Sequence, residues 1–224
     1  GLVGSEMCIR DRCCTASGGS AGGRSGNRRG AGMNTKEEFL NAYSLIQRPG
    51  ADRLLAWMET TDFFTAPAST RFHGDHEGGL LEHSLNVYMR LQAEVSSAAV
   101  EAGPDTIAVC ALLHDLCKAN FYKVSQRNVK NEETEKWEKQ PFYQVEDQFP
   151  YGHGEKSVFL IERFLRLKPM EAVAIRWHMG GFDDSARGGS YAVSGAYEKY
   201  PLALLLHVAD LKATYLDEKK VETQ

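Results

Sequence analysis

Ala108-Val-Cys-Ala-Leu-Leu-His114-Asp115-Leu-Cys-Lys118 is an apolar run that ends in charge. Val109, Cys110, Leu112 and Leu113 predict the last turns of a buried helix. His114 and Asp115 then stand side by side, with Lys118 one turn further on. An imidazole and a carboxylate at the end of a buried helix cost free energy unless something pairs with them. A divalent metal ion would use both. A His–Asp hydrogen bond at a capped helix end would also satisfy them, so the dipeptide alone leaves both readings open.

The rest of the chain bears on the choice. It has 224 residues, 42% hydrophobic and 25% charged, which suits a globular protein with one sizeable domain or two small ones. The net charge is −4 with the seven histidines taken as neutral, which argues against a broad nucleic-acid-binding surface. No apolar run approaches the roughly 20 residues needed to span a bilayer, so no membrane association is expected. Of five cysteines, Cys8, Cys13 and Cys14 crowd the N-terminus, while Cys110 and Cys117 lie in the apolar run. The last two read as small core residues in a reducing compartment, and the expected location is the cytoplasm.

Residues 1–32 are rich in Gly, Ser and Arg, without hydrophobic period or secretory core. Their first twelve residues resemble a translated sequencing adapter. They are expected to be a disordered or artefactual extension, with the native protein starting at Met33. A Cys-rich metal-binding tail is the competing reading. One domain is expected over 33–218, with 219–224 as a tail. Asn34 to Glu37 reads as a capping box for a helix carrying Phe39, Leu40, Tyr43 and Ile46. After the break at Pro49-Gly50, Ala51 to Thr60 predicts a second helix. Gly78-Gly79 precedes a third, with His83 near its first turn, running to about Ala99. Gly103-Pro104-Asp105 is a turn, with Asp105 as candidate cap of the central helix. The stretches 121–129 and 137–145 alternate loosely around a charged segment and predict an inserted β-hairpin. Helices are then expected after His153, from Met170 to Trp177, and from Pro201. The Gly-, Ser- and Asp-rich 182–199 reads as a long loop, a candidate site wall. The expected fold is therefore all-α, a helical bundle with a small β-hairpin insertion around 121–145.

His83, His114, Asp115, His153, His178 and Asp210 each fall at or near an end of a separate apolar helix, or follow a glycine. Imidazoles and carboxylates suit Mn, Fe, Co, Ni or Zn, and the lack of a Cys cluster argues against a structural zinc site. His83, His114, Asp115 and Asp210 would hold one ion. His153 and His178 could hold a second, with Asp115 bridging. Two such ions about 3.5–4 Å apart serve in-line phosphoryl displacement. His207 and Asp210, three residues apart, share one helix face.

The order His83, His114-Asp115, Asp210 on successive helices resembles the HD superfamily of metal-dependent phosphohydrolases, over nearly all of 71–217. Gly78-Gly-Leu-Leu-Glu-His83 with Leu112-Leu-His-Asp-Leu-Cys-Lys118 is similar to HD-type 3′–5′ exoribonucleases. His153 and His178 resemble the second-metal histidines of HD-type diadenosine tetraphosphate hydrolases and cyclic-dinucleotide phosphodiesterases. Two departures count against the cyclic-dinucleotide class: His178-Met179 stands where some of its members have paired histidines, and its Gly-Tyr-Pro signature is missing. Those exoribonucleases carry an N-terminal nucleic-acid-binding domain, which residues 1–32 are not expected to supply. The pattern is most similar to stand-alone bacterial or phage HD hydrolases of the two-metal type.

The resemblance implies hydrolysis by metal-activated water, acting on a phosphoester or phosphoanhydride of a small anionic, nucleotide-like substrate rather than long nucleic acid. Asp115 would orient the nucleophile and Lys118 would meet a phosphoryl oxygen. Arg71, His73 and His76 are candidate substrate-binding residues, and Glu155 and His207 candidate orienters of the ligands. Two other classes stay open: a di-iron oxygenase on the same fold, and a non-catalytic HD module that senses nucleotides.

Overall fold

The computed structural model describes residues 34–70, 73–131 and 135–218. The expected extension 1–32, the candidate Arg71 and the tail 219–224 lie outside the described residues. Among those described, the chain is mostly helical, with nine α-helices and one two-stranded antiparallel sheet.

The helices are α1 (Thr35–Tyr43), α2 (Ala51–Met58), α3 (Gly79–Ala98), α4 (Pro104–Leu113), α5 (His153–Glu162), α6 (Pro169–Arg176), α7 (Asp184–Arg187), α8 (Ala192–Lys199) and α9 (Pro201–Lys212). α1 starts with the expected capping box: Asn34 accepts from the Lys36 amide, and Glu37 accepts from the Asn34 amide. α4, α6 and α9 each have proline in the first turn, where no intrahelical N–H is lost.

α4 has no polar face. Every residue from Thr106 to Leu113 is buried, and a helix apolar all round must be wrapped by others. α1, α3 and α6 pack on it, and α9 lies against α3 and α6. The functional consequence lies at its C-terminal end, where His114 and Asp115 emerge into the middle of the bundle.

Its N-terminal end is pinned by charge. Asp105 is not the helix cap; Gly103 takes that position. The Asp105 carboxylate instead receives Arg48 Nε and Nη2 at 2.9 and 2.7 Å. Arg48 Nη1 also donates to Glu171 at 2.7 Å, and Glu171 accepts from Thr106 Oγ1 and the Lys168 amide, each at 2.8 Å. Glu171 is fully buried. Burial opposes its charge, but the Arg48 guanidinium and the Lys168 amide outweigh that and hold its carboxyl below the usual range. The cluster ties the turn after α1 to the starts of α4 and α6.

β1 (Tyr122–Lys130) and β2 (Trp137–Val145) pair from Tyr122↔Val145 to Lys130↔Trp137, close to the expected hairpin. Its residues are largely exposed, so the sheet depends on its root. There Tyr122 Oη donates to the Ala68 carbonyl at 3.2 Å and the Glu146 amide to Phe121 at 2.9 Å.

Residues 182–199 are not the expected long loop, because they contain α7 and α8. Asp183 caps α7 by accepting from the Ser185 amide at 2.9 Å. α8 buries only Ala196, so it carries no apolar period to read.

Removing one partner of a buried ion pair typically costs about 3–5 kcal/mol. Arg48→Met is therefore expected to lower the unfolding free energy measured in urea by that order, and Arg48→Met/Glu171→Met by less than the single change. Because Glu171 and Asp105 have depressed pKa values in the fold, their contribution is present above the ordinary carboxylate range and is lost as pH falls below it. Urea unfolding across the acidic range should show wild type losing more stability than the double variant. Equal losses would refute the role of the cluster.

Candidate metal centre

The backbone breaks where the chemistry begins. α4 ends at Leu113, and Asp115 takes φ −101°, ψ 22°, the sparsely used bridge region common at functional sites. A 3₁₀ turn, Leu116–Lys118, then folds Lys118 back so that its Nζ lies 2.8 Å from Asp115 Oδ2 and donates to the Ala68 carbonyl at 2.7 Å.

Asp115 is buried, and its two oxygens face different partners. Oδ2 is 3.6 Å from His83 Nε2 and 3.5 Å from His114 Nε2. Oδ1 is 2.8 Å from His153 Nε2 and 3.5 Å from His178 Nε2. Asp210 Oδ1 joins the first group, 3.3 Å from His83 Nε2. All six candidate ligands are thus brought together. Three-donor sets with ligand atoms within 4.8 Å of one another are His83/His114/Asp210, His114/Asp115/His178, Asp115/Cys117/His153 and His73/His83/Glu218.

Two glycines make the approach possible. A Cβ on Gly79 would overlap the Gly74 carbonyl where α3 starts, and one on Gly154 would overlap the Arg176 carbonyl. The second contact seats the start of α5 on the end of α6, and the His153 and His178 rings lie 5.0 Å apart.

The imidazoles share a wiring pattern. His114 Nδ1 donates to the Ala111 carbonyl at 2.8 Å, and His178 Nδ1 to the Ile175 carbonyl at 2.7 Å. A carbonyl can only accept, so Nδ1 carries the proton, and Nε2 of the neutral ring is left as a lone pair. His83 Nδ1 lies 3.1 Å from both oxygens of Glu218. His178 is fully buried, its Nε2 is without a hydrogen-bond partner, and it faces an acceptor, Asp115 Oδ1. A buried imidazole nitrogen without a partner, set against a carboxylate oxygen, is a place where a cation would satisfy both, and the donor set of imidazoles and carboxylates fits a divalent metal.

Charge in the cluster follows from these contacts. Burial opposes charge on Asp115, but Lys118 and then His114 outweigh it and hold the carboxyl well below its usual range. Burial likewise opposes charge on His83, yet Glu218 and Asp210 hold its pKa up at about 10. Burial brings His114 and His73 down to about 4.

A family model described as the HD domain matches residues 80–214, more than half of the chain. The chain belongs to the HD superfamily of metal-dependent phosphohydrolases. No curated protein and no solved structure matched this HD chain. No helix among its described residues is long and apolar enough to cross a membrane.

The other sequence candidates fare unequally. His73 is buried, its ring 5.1 Å from that of His83 and its Nδ1 without a partner. His76 is exposed and pairs with Glu82 at 3.3 Å, outside the cluster. His207 Nδ1 donates to the His178 carbonyl at 2.6 Å, so it steadies the ligand segment through the main chain. Glu155 pairs with Arg176 on the outer side of α5 and α6, not with a ligand imidazole. Two residues beside the ligands escaped the sequence reading. Glu218 holds His83 and accepts from Asn86 Nδ2 at 2.9 Å; in sequence it belongs to the charged run Asp217-Glu-Lys-Lys. Cys117 Sγ lies 3.4 Å from His153 Nδ1, although its apolar neighbours mark it as core.

Losing a residue that orients a metal-bound histidine typically weakens metal binding about 10–100-fold. Glu218→Ala is expected to do so for Mn²⁺ by calorimetric titration, with circular dichroism unchanged. Unaltered affinity would show that Glu218 does not orient His83.

Proposed function

We propose that this HD chain hydrolyses a phosphoester or phosphoanhydride of a small nucleotide-like substrate at a centre of two divalent ions. The carrying observation is the buried His178 Nε2, without a hydrogen-bond partner, facing Asp115 Oδ1. The way Asp115 divides its oxygens between His83/His114 and His153/His178 supports a bridging role. On this reading His83, His114, Asp115 and Asp210 hold one ion, and Asp115, His153 and His178 the other. Such ions, of Mn, Fe, Co, Ni or Zn, supply Lewis acidity that lowers the pKa of water and takes up charge on phosphoryl oxygens.

The chain's own groups do the positioning. Asp115 aligns the nucleophile as a fixed, ionised carboxylate. Lys118, its ammonium largely buried and held by Asp115 and the Ala68 carbonyl, places a full positive charge where a phosphoryl oxygen enters. His73 is neutral at physiological pH, and its partnerless Nδ1 offers a contact to substrate. Arg71 would assist as a guanidinium on phosphate. The net charge of −4 favours a small anion over long nucleic acid, which relies on phosphate attraction. The free buried thiols Cys110 and Cys117 support a reducing, cytoplasmic setting.

Phosphate release from a nucleotide panel with Mn²⁺, Fe²⁺, Co²⁺ or Mg²⁺, alongside metal content by mass spectrometry, tests the proposal. Wild type should hold two ions, His153→Ala about one with strongly reduced turnover, and Asp115→Ala none. One ion in wild type, with His153→Ala equal to it in content and rate, would make the centre mononuclear. Processive RNA degradation with nucleotides untouched would refute the substrate class. O₂ consumption with Fe²⁺ and no phosphate release would replace hydrolysis by oxygenase chemistry.

A further inference from the structure

Cys117 follows Asp115 by two residues and sits on the side of the centre where His153 and His178 meet Asp115 Oδ1. Its Sγ is 3.4 Å from His153 Nδ1 and 3.8 Å from His153 Nε2. Asp115, Cys117 and His153 present ligand atoms within 4.8 Å of one another. Independently, the buried His178 Nε2, without a partner, is aimed at the same carboxylate oxygen.

The thiol is held there by the fold. The Cys117 amide donates to Ser157 Oγ at 3.0 Å. Ser157 is four residues after His153 on α5, so the two share a helix face. The helix that delivers the imidazole therefore also fixes the residue bearing the sulfur. Metal–sulfur and metal–nitrogen bonds of about 2.3 and 2.0–2.1 Å put a nitrogen and a sulfur on one tetrahedral ion about 3.6 Å apart. The sulfur now lies nearer Nδ1, at 3.4 Å, than Nε2, at 3.8 Å, so the His153 side chain has to turn for one of its nitrogens and the sulfur to share an ion.

We infer that Cys117 is a thiolate ligand of the second ion, making its site an oxygen–nitrogen–sulfur set of Asp115, His153, His178 and Cys117. This rests on the metal-centre reading above. Ligation leaves the sulfur deprotonated, its proton passing to solvent. A thiolate biases that half of the centre toward zinc, cobalt or cadmium and away from magnesium and manganese, while the His83/His114/Asp210 half keeps only nitrogen and oxygen donors.

The test is a Co²⁺ titration of the full chain carrying Cys8→Ser, Cys13→Ser and Cys14→Ser, so that the N-terminal thiols do not contribute. Bound cobalt gives visible ligand-field bands whatever its donors, whereas a sulfur-to-cobalt charge-transfer band in the near ultraviolet requires a thiolate. The expected result is a charge-transfer band that grows with one of two bound equivalents. Cys117→Ser should abolish it while the visible bands remain. The same variant should lower the ratio of cadmium to manganese affinity at least about tenfold. Visible bands with no charge-transfer band, or a band that survives Cys117→Ser, would overturn the role of Cys117 and leave the metal centre standing. Failure to bind cobalt at all would overturn both.

Discussion

One buried carboxylate organises the molecule. Asp115 is nearly sealed from solvent, and an ionised carboxylate there is tolerable only if it is surrounded by donors or cations. Its neighbours come from separate elements: His83 from α3, His114 from the end of α4, His153 from the start of α5, His178 from just after α6, and Lys118 from the turn that follows it. The helices are therefore constrained twice. Their apolar faces must close on α4, and their ends must converge on one side chain.

α4 joins two charge clusters. Arg48, Asp105 and Glu171 fix its start, and the imidazole–carboxylate cluster occupies its end. At 1.5 Å per residue the ten-residue helix is about 15 Å long. A rigid apolar rod between two ionic anchors fixes the depth at which Asp115 enters the bundle, and with it the distances to ligands on other helices.

Much of this was legible in the sequence because buried charge stands out against apolar runs. His114-Asp115 ending an apolar helix, His83 after Gly78-Gly79, and Asp210 interrupting the apolar face of α9 are all contrasts of that kind. The helical class and the hairpin followed from period. What was missed lacked contrast. α8 buries one residue, so helix and polar loop look alike there. Gly-Pro-Asp resembles a helix start, so Asp105 reads as a cap in sequence; its partner Arg48 is 57 residues away and leaves no local trace. Glu155 and His76 lie close in sequence to true neighbours of the centre, yet side-chain direction sends them to Arg176 and Glu82. Glu218 was hidden by the opposite effect, a buried role inside a segment composed like a solvated tail.

The wiring of the imidazoles divides them by how readily evolution can alter them. The tautomers of His114 and His178 are set by main-chain carbonyls, Ala111 and Ile175, which every amino acid supplies. No point substitution at those positions deletes the acceptor. His83 depends on a side chain, Glu218, which follows the turn Ala213–Asp217 after α9. Genetic drift therefore has one easy handle on this centre and two that resist it. A lineage could retune the His83 corner through the single codon for Glu218 and leave the geometry inherited from the helix ends intact.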